Sequence, residues 1–401
     1  MKKLIITLLI AGMLIPAMNF AQDTWTQKTD VPGTARWGSL GFSIGTKGYI
    51  GTGFCNDGTT MFDAKDFWEY DPGTDTWTQK ADVGGTVREQ AVGFSIGLKG
   101  YIGTGMDFSV NAIFLNDFWE YDPSTNIWTQ KANFGGAARA GSVGFSIGTK
   151  GYIGTGYCND GTTEFYTKDF WEYDPGIDSW SKLADFGGTA RGSATGFSIG
   201  TKGYIGTGGD NVTIFMKDFW EFDPGINSWS QKADFGGTAR TGAVGFAIET
   251  KGYIGTGRYN NDFWEYDPGI NSWSEKAYCG GTGRDAAVGF SIGTKGYIGT
   301  GDEEICSKDF WEYSPSSVSV NEISLNDQII SVFPNPVADN LTVVTHPKSE
   351  IKILNIEGQI IKTIYTSDKE TTIDLKDLPS GVYIIKATDN KGVSMRRFVK
   401  K

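Results

Sequence analysis

The sequence predicts an all-β chain, a six-bladed β-propeller followed by a small β-sandwich. Three observations predict it. GlyTyrIleGlyThrGly recurs six times, beginning at Gly48, Gly100, Gly151, Gly203, Gly252 and Gly296. AspPheTrp recurs in step with it, beginning at Asp66, Asp117, Asp169, Asp218, Asp262 and Asp309. The period, about 44–52 residues, is that of an array or propeller. From Ile329 the character changes: Lys and Ile replace Gly and Trp.

Residues 1–21 read as a signal peptide. Lys2 and Lys3 precede a short apolar run that is too short for a bilayer span, and Asn19, Phe20 and Ala21 end at a small residue suited to cleavage. The propeller is expected over 22–315. In each copy, ValGlyPheSerIleGly alternates apolar and small or polar residues at strand period, and ThrLysGly is a hairpin turn. GlyTyrIleGlyThrGly forms a second strand and PheTrpGluTyr, rich in aromatics, a third. AspProGly turns the chain, and a lone Trp opens a fourth strand. Such a sheet buries both faces only against neighbouring blades.

The strand around Trp25 has no partners before it, and the sixth copy stops after its third strand at Tyr313. The two fragments complete one blade, which closes the ring and removes the open edge.

Twelve of the thirteen Trp residues occupy the two repeated Trp positions and are expected in the core between blades. Each could bury about 150–250 Å², worth some 4–6 kcal/mol before entropy, as an upper bound. The repeated Glu (Glu69 to Glu312) and Lys (Lys47 to Lys295) read as structural. The Gly-rich element is no dinucleotide fingerprint, because a loop and another strand follow it instead of a helix.

This period and composition resemble the kelch repeat, and the resemblance, over about Asp23 to Pro315, implies a kelch-type propeller. One departure stands out. Kelch blades usually carry a Gly-Gly doublet after the second strand, and here it reads Thr-Gly, as at Thr52 and Gly53.

Long loops connect second to third strands and blade to blade on one face, so that face is the expected binding face. Arg36, Arg88, Arg139, Arg191, Arg240 and Arg284 each precede an innermost strand and are expected to ring the channel mouth. The Arg fork suits carboxylate, phosphate or sulfate, so an anionic ligand is expected. The residues after them break the repetition: Trp37, Glu89, Ala140, Gly192, Thr241 and Asp285. Trp37, beside Arg36, suits stacking on a sugar ring. The loops Phe54–Lys65, Met106–Asn116 and Tyr157–Lys168 are long and Arg258–Asn261 is short, giving a rim high over blades one to three. Two of the long loops share CysAsnAspGlyThrThr, an ordinary turn signal without the ligand spacing of an EF-hand. No metal and no cofactor is expected.

Four Cys in an exported chain permit disulfides. Cys279 and Cys306 fall on one face of one blade and form the candidate pair; Cys55 and Cys158 lie two blades apart.

The formal net charge is −11; the tail from Asn321 contributes +1 and the leader +2, which leaves the propeller at −14. An acidic body argues against nucleic acid. The only His is His346, outside the propeller. That excludes a Ser/His/Asp triad and the copper chemistry of the kelch-built galactose-oxidase kind, so no catalytic residue is assigned. Six-bladed kelch proteins also include sialic-acid epimerases (mutarotases). That resemblance implies an Arg clamp with Glu89 or Asp285 as acid/base, without a specific motif for it.

A linker is expected over 316–328. Residues 329–401 read as seven strands with turns at ProAsnPro, GluGly, LeuProSerGly and AspAsnLysGly, a small Ig-like sandwich. Phe333-Pro334, LysIleLeuAsnIleGluGlyGlnIle from Lys352, LeuProSerGlyValTyrIle from Leu378 and the basic end ArgArgPheValLysLys resemble the C-terminal sorting domain of the type IX secretion system. The resemblance implies the secretion machinery and its sortase as partners. It also implies release from, or attachment to, the outer surface of a Gram-negative bacterium. The expected function is an exported, monomeric binding protein for glycan or protein. The alternatives are a sugar-acid epimerase and a structural or adhesive surface protein.

Overall fold

The structure is a computed structural model that describes residues 23–56, 58–109, 112–159, 162–210, 214–303, 305–316, 330–355, 359–389 and 392–401. The expected signal peptide, most of the linker, and Asp57 and Asp160 of the twin loops lie outside the described residues. The chain divides into two units, Met1–Ser317 and Val318–Lys401.

The first unit is the six-bladed propeller, each blade a four-stranded antiparallel sheet. In blade one Leu40–Ile44, Lys47–Gly51, Phe67–Asp71 and Thr76–Lys80 run from axis to rim. The inner strand buries Leu40, Phe42 and Ile44 and leaves Gly41 and Ser43 on its other face. Small residues on that face make room for a neighbour: a Cβ on Gly41 would stand 2.3 Å from Val288 of blade six, and one on Gly48 of the second strand 2.5 Å from the ring of Phe290. The same Phe-on-Gly contact repeats around the ring, with Phe42 against Gly100 and Phe94 against Gly151.

The ring closes as the sequence predicts. Thr24–Lys28 pairs with Phe310–Ser314, Trp25 opposite Tyr313, as the outer strand of blade six. Each outer-strand Trp also donates its indole N–H to the blade before it. Trp77 reaches the carbonyl of Thr29, Trp128 that of Ala81, and Trp25 that of Ala277. The Trp rings contribute to the interfaces but are only half-buried. The wholly buried aromatics are Phe67 and Tyr70 and their counterparts. A Trp near the rim keeps its N–H on a backbone carbonyl, and that edge placement leaves part of the indole wet. The repeated Glu has the structural role expected: Glu69 accepts from the Tyr49 hydroxyl at 2.6 Å and pairs with Lys80 at 3.3 Å.

The long second-to-third loops of blades one to three fold into small hairpins. Phe54–Asn56 pairs with Met61–Asp63, Met106–Asp107 with Ile113–Phe114, and Tyr157–Asn159 with Glu164–Tyr166.

The second unit has seven strands in two sheets. Ser331–Phe333, Asn340–Val344 and Glu370–Asp374 form one; Ile360–Thr366, Ser349–Leu354, Gly381–Asp389 and Gly392–Lys400 form the other. Alternation places Leu341, Val343, Ile351, Ile353 and Ile385 in one apolar core.

Candidate functional site

The six arginines do not ring the mouth. Each is wholly buried within its own blade, 0–1% exposed. Each grips the Asp that opens the third strand: Arg36 with Asp66, Arg88 with Asp117, Arg139 with Asp169, Arg191 with Asp218, Arg240 with Asp262 and Arg284 with Asp309. The pairing is two-pronged; Arg191 donates to both oxygens of Asp218, at 2.6 and 2.8 Å. The second oxygen of each Asp also takes the indole N–H of the Trp two residues on, as Asp218 does from Trp220 at 2.7 Å. Burial pushes the carboxyls of Asp66, Asp169, Asp218 and Asp309 up, but the guanidinium beside each holds it below the usual range.

In three blades a Phe covers the other side of the guanidinium, Phe134, Phe186 and Phe235 at 4.8–5.0 Å. The Gly-Gly before the Arg makes this fit, since a Cβ on Gly136 would stand 2.7 Å from Arg139 Nη2. A planar fork buried with a carboxylate has no donors left for a ligand. The expected Arg-lined anion site is therefore corrected to six internal clamps. The missed partner was readable: the Asp of AspPheTrp recurs as faithfully as the Arg.

What rings the mouth is backbone. Two residues after each Arg stands a residue with positive φ: Gly38 (63°), Gln90 (51°), Gly141 (60°), Ser193 (49°), Gly242 (64°) and Ala286 (48°). Their peptides bond head to tail in a closed circle. Gln90 N–H donates to Gly38 C=O, Gly141 to Gln90, Ser193 to Gly141, Gly242 to Ser193, Ala286 to Gly242 and Gly38 to Ala286, at 2.8–3.0 Å. Left-handed backbone is costly for Gln90, Ser193 and Ala286, and the circle holds them there. It spends all six N–H groups that would otherwise face the mouth.

On this ring sits a cavity of about 280 Å³. Its lining is mostly Gly, Ala and Ser, broken by Trp37, Gln90, Asp285 and Asp302. Trp37 packs beside Phe54, ring centres 5.4 Å apart. Asp285 is adjacent to Trp37 around the circle, because the residues that follow them, Ala286 and Gly38, are bonded. Asp285 and Asp302 are locked side by side by a reciprocal pair of backbone hydrogen bonds, both 2.9 Å. Asp285 Oδ1 accepts from the Arg258 and Ala286 N–H groups, and Asp302 Oδ2 from the Tyr259 hydroxyl at 2.9 Å. The Asp285 side chain lies over Gly242, where a Cβ would stand 1.8 Å from its Oδ1. Burial pushes the Asp285 carboxyl up.

The residues after the arginines thus divide. Trp37, Thr241 and Asp285 line the cavity; Glu89, Ala140 and Gly192 are buried and take no part in its lining. Neither carboxylate oxygen of Glu89 has a partner, and burial, with the charge of Asp63 second, pushes its carboxyl up to about 8.

The Cys279–Cys306 disulfide is also corrected, since all four cysteines are free thiols. Cys279 stands five residues before its Arg, as do Val31, Val83, Phe134, Phe186 and Phe235, and like them it is a buried plug in an interblade core. Cys306 is instead half-buried in the long loop of blade six, where its backbone bridges to that of Asp302.

Comparison with known proteins adds three findings. Residues 331–401 match the family described as "Secretion system C-terminal sorting domain". No curated protein matches the chain by sequence. Among solved structures, one titled "Structure of YjhT" is similar over 71% of this chain and 95% of that one, at 16% identity and a TM-score of 0.60. At that identity the likeness speaks for the fold alone. The chain is thus a six-bladed β-propeller that ends in a sorting domain of the type IX secretion system, engages that machinery, and is secreted or displayed at the cell surface.

Proposed function

We propose that this protein is an exported, kelch-like propeller that binds glycan at its channel mouth. The observation that carries the reading is the cavity on the backbone ring. There the sixfold repetition breaks down: Trp37, Gln90, Asp285 and Asp302 interrupt a lining that is otherwise mostly Gly, Ala and Ser. A half-buried indole beside hydroxyl, amide and carboxylate acceptors suits a sugar, whose ring stacks while its hydroxyls donate.

The sugar-acid epimerase reading is weaker. Asp285 lines the cavity and could act as a base, but the clamp that reading needs is absent from the lining, since the six arginines are buried in their blades. The adhesive reading leaves the asymmetric cavity without a role.

A glycan array probed with the wild-type propeller and with Trp37→Ala tests the proposal. Binding that the substitution abolishes supports it, and a blank array overturns it. The export half has its own test. A chain lacking Ile329–Lys401 is expected to fold and to remain in the periplasm; normal surface display would refute the sorting role.

A further inference from the structure

We infer that the sugar this mouth takes carries a protonated amine. The inference rests on the glycan reading and narrows it to amino sugars. Three observations point the same way. The backbone circle spends its six N–H groups on its own six carbonyls, so the ring itself offers a ligand no backbone donor. Among the described residues no Lys or Arg lines the cavity, whereas Asp285 and Asp302 both do. Trp37 stands next to Asp285 across the seam of blades one and six, so an aromatic face and a carboxylate flank the same space.

An anion entering this space would meet two carboxylates and no lining cation among the described residues, with only neutral indole, amide and hydroxyl donors to receive it. A neutral sugar would find acceptors for its hydroxyls but nothing that rewards charge. An ammonium group gains from all three features at once: charge-assisted hydrogen bonds to a carboxylate, attraction to the indole face, and the field of a propeller with a formal charge of −14.

Asp285 is also held in a way that suits a fixed recognition element. Its Oδ1 is occupied by two backbone N–H groups, which fix the carboxylate beside Gly242. Tyr259 anchors Asp302 through Oδ2. Arg258 is the basic group near Asp285; its guanidinium is stacked at 3.7 Å on Phe215 and stays out of the lining.

The test is calorimetric titration of the exported full-length protein with four monomeric probes at near-neutral pH. They are a methyl glycoside of glucosamine, its N-acetylated form, methyl glucoside and methyl glucuronide. The amine is expected to bind at least tenfold more tightly than the acetylated and neutral sugars, with the uronate weakest. Asp285→Asn and Asp302→Asn are each expected to remove most of that preference, and Trp37→Ala to weaken all binding. Arg258→Ala should strengthen amine binding a few fold. Asp185→Asn, on the outer surface, should change nothing.

Equal affinity for amine and neutral sugar overturns this inference and leaves the glycan reading standing. Tightest binding of the uronate overturns it as well. Equal losses in Asp185→Asn and Asp285→Asn would reduce the effect to general attraction and overturn it too. Failure of every probe, on a protein shown to be folded, sinks both readings.

Discussion

Arg139 donates through Nη1 and Nη2 to the two carboxylate oxygens of Asp169, at 2.6 and 2.8 Å, with its guanidinium wholly buried. The same Arg also donates to the carbonyls of Ala137 and Thr155, while its own carbonyl accepts from Gly105 of the preceding blade. One residue therefore joins the entry loop, the second strand and the third strand of its blade, and holds the neighbouring blade by its backbone.

Breaking this clamp should destabilise the propeller. Asp169→Ala leaves a buried guanidinium unpaired and is expected to cost about 3–5 kcal/mol. Arg139→Lys should also be costly, because an ammonium cannot reproduce the fork. Urea denaturation measures both. The pH dependence follows from the lowered Asp169 carboxyl. A group whose pKa falls on folding contributes stability above its unfolded value, near 3.8, and loses it as pH drops through the folded value. Acid unfolding should therefore begin below about pH 4, and wild-type stability unchanged there would contradict the clamp.

Thr155 is strained. Its φ is +58°, its hydroxyl has no partner, and it is wholly buried; Thr52, Thr104, Thr207, Thr256 and Thr300 repeat the pattern. Positive φ is an outlier for a β-branched residue, with a cost of order 1–3 kcal/mol. Glycine removes strain and orphan hydroxyl together, at the expense of a buried methyl, about 0.8 kcal/mol, and chain entropy of about 0.5–1 kcal/mol. Thr155→Gly should stabilise by roughly 1 kcal/mol, and Thr155→Ala by less. Thermal melts of the two variants decide, and a destabilised glycine variant would show that the methyl packing dominates.

Glu89 should make stability fall with rising pH. Its carboxyl moves from 4.5 to about 8 on folding. The folded state holds the extra proton between those values, so the contribution is complete below the lower one and lost as pH climbs to the upper. Asp63, also raised by burial, acts in the same direction. Glu89→Gln should flatten the slope of melting temperature between about pH 5 and 8 and leave the protein more stable than wild type at the alkaline end. An unchanged slope would assign the effect elsewhere.

The closing strand should be indispensable to the propeller. Thr24–Lys28 supplies the outer strand of blade six, and the Trp25 ring lies 5.1 Å from Phe263 of blade five. Deleting Asp23–Lys28 exposes the edge of Phe310–Ser314 and uncovers part of an interblade core. Aggregation or a large drop in melting temperature is expected, and a truncated propeller that melts like the intact one would refute closure by this strand.

The repeat period, the alternation within ValGlyPheSerIleGly and the orphan strand at Trp25 were enough to determine the blades, their number and the way the ring closes. Local pattern specifies such an array, because every copy makes the same contacts with its neighbours. The sorting tail was legible for the same reason, in strand period and turn residues at the end of the chain. The site was not. Sequence marks Arg36 and Asp66 as recurrent but does not say that they meet, since they are far apart along the chain and become neighbours only when first and third strands share a blade. Nor does it show that Gly38, Gln90, Gly141, Ser193, Gly242 and Ala286 bond into one circle, because that bond joins residues of six different copies. Burial then reversed the expected chemistry. Once the arginines are neutralised inside the blades and the mouth N–H groups are spent on each other, only Trp37, a few hydroxyls and amides, and the carboxylates of Asp285 and Asp302 are left to meet a ligand.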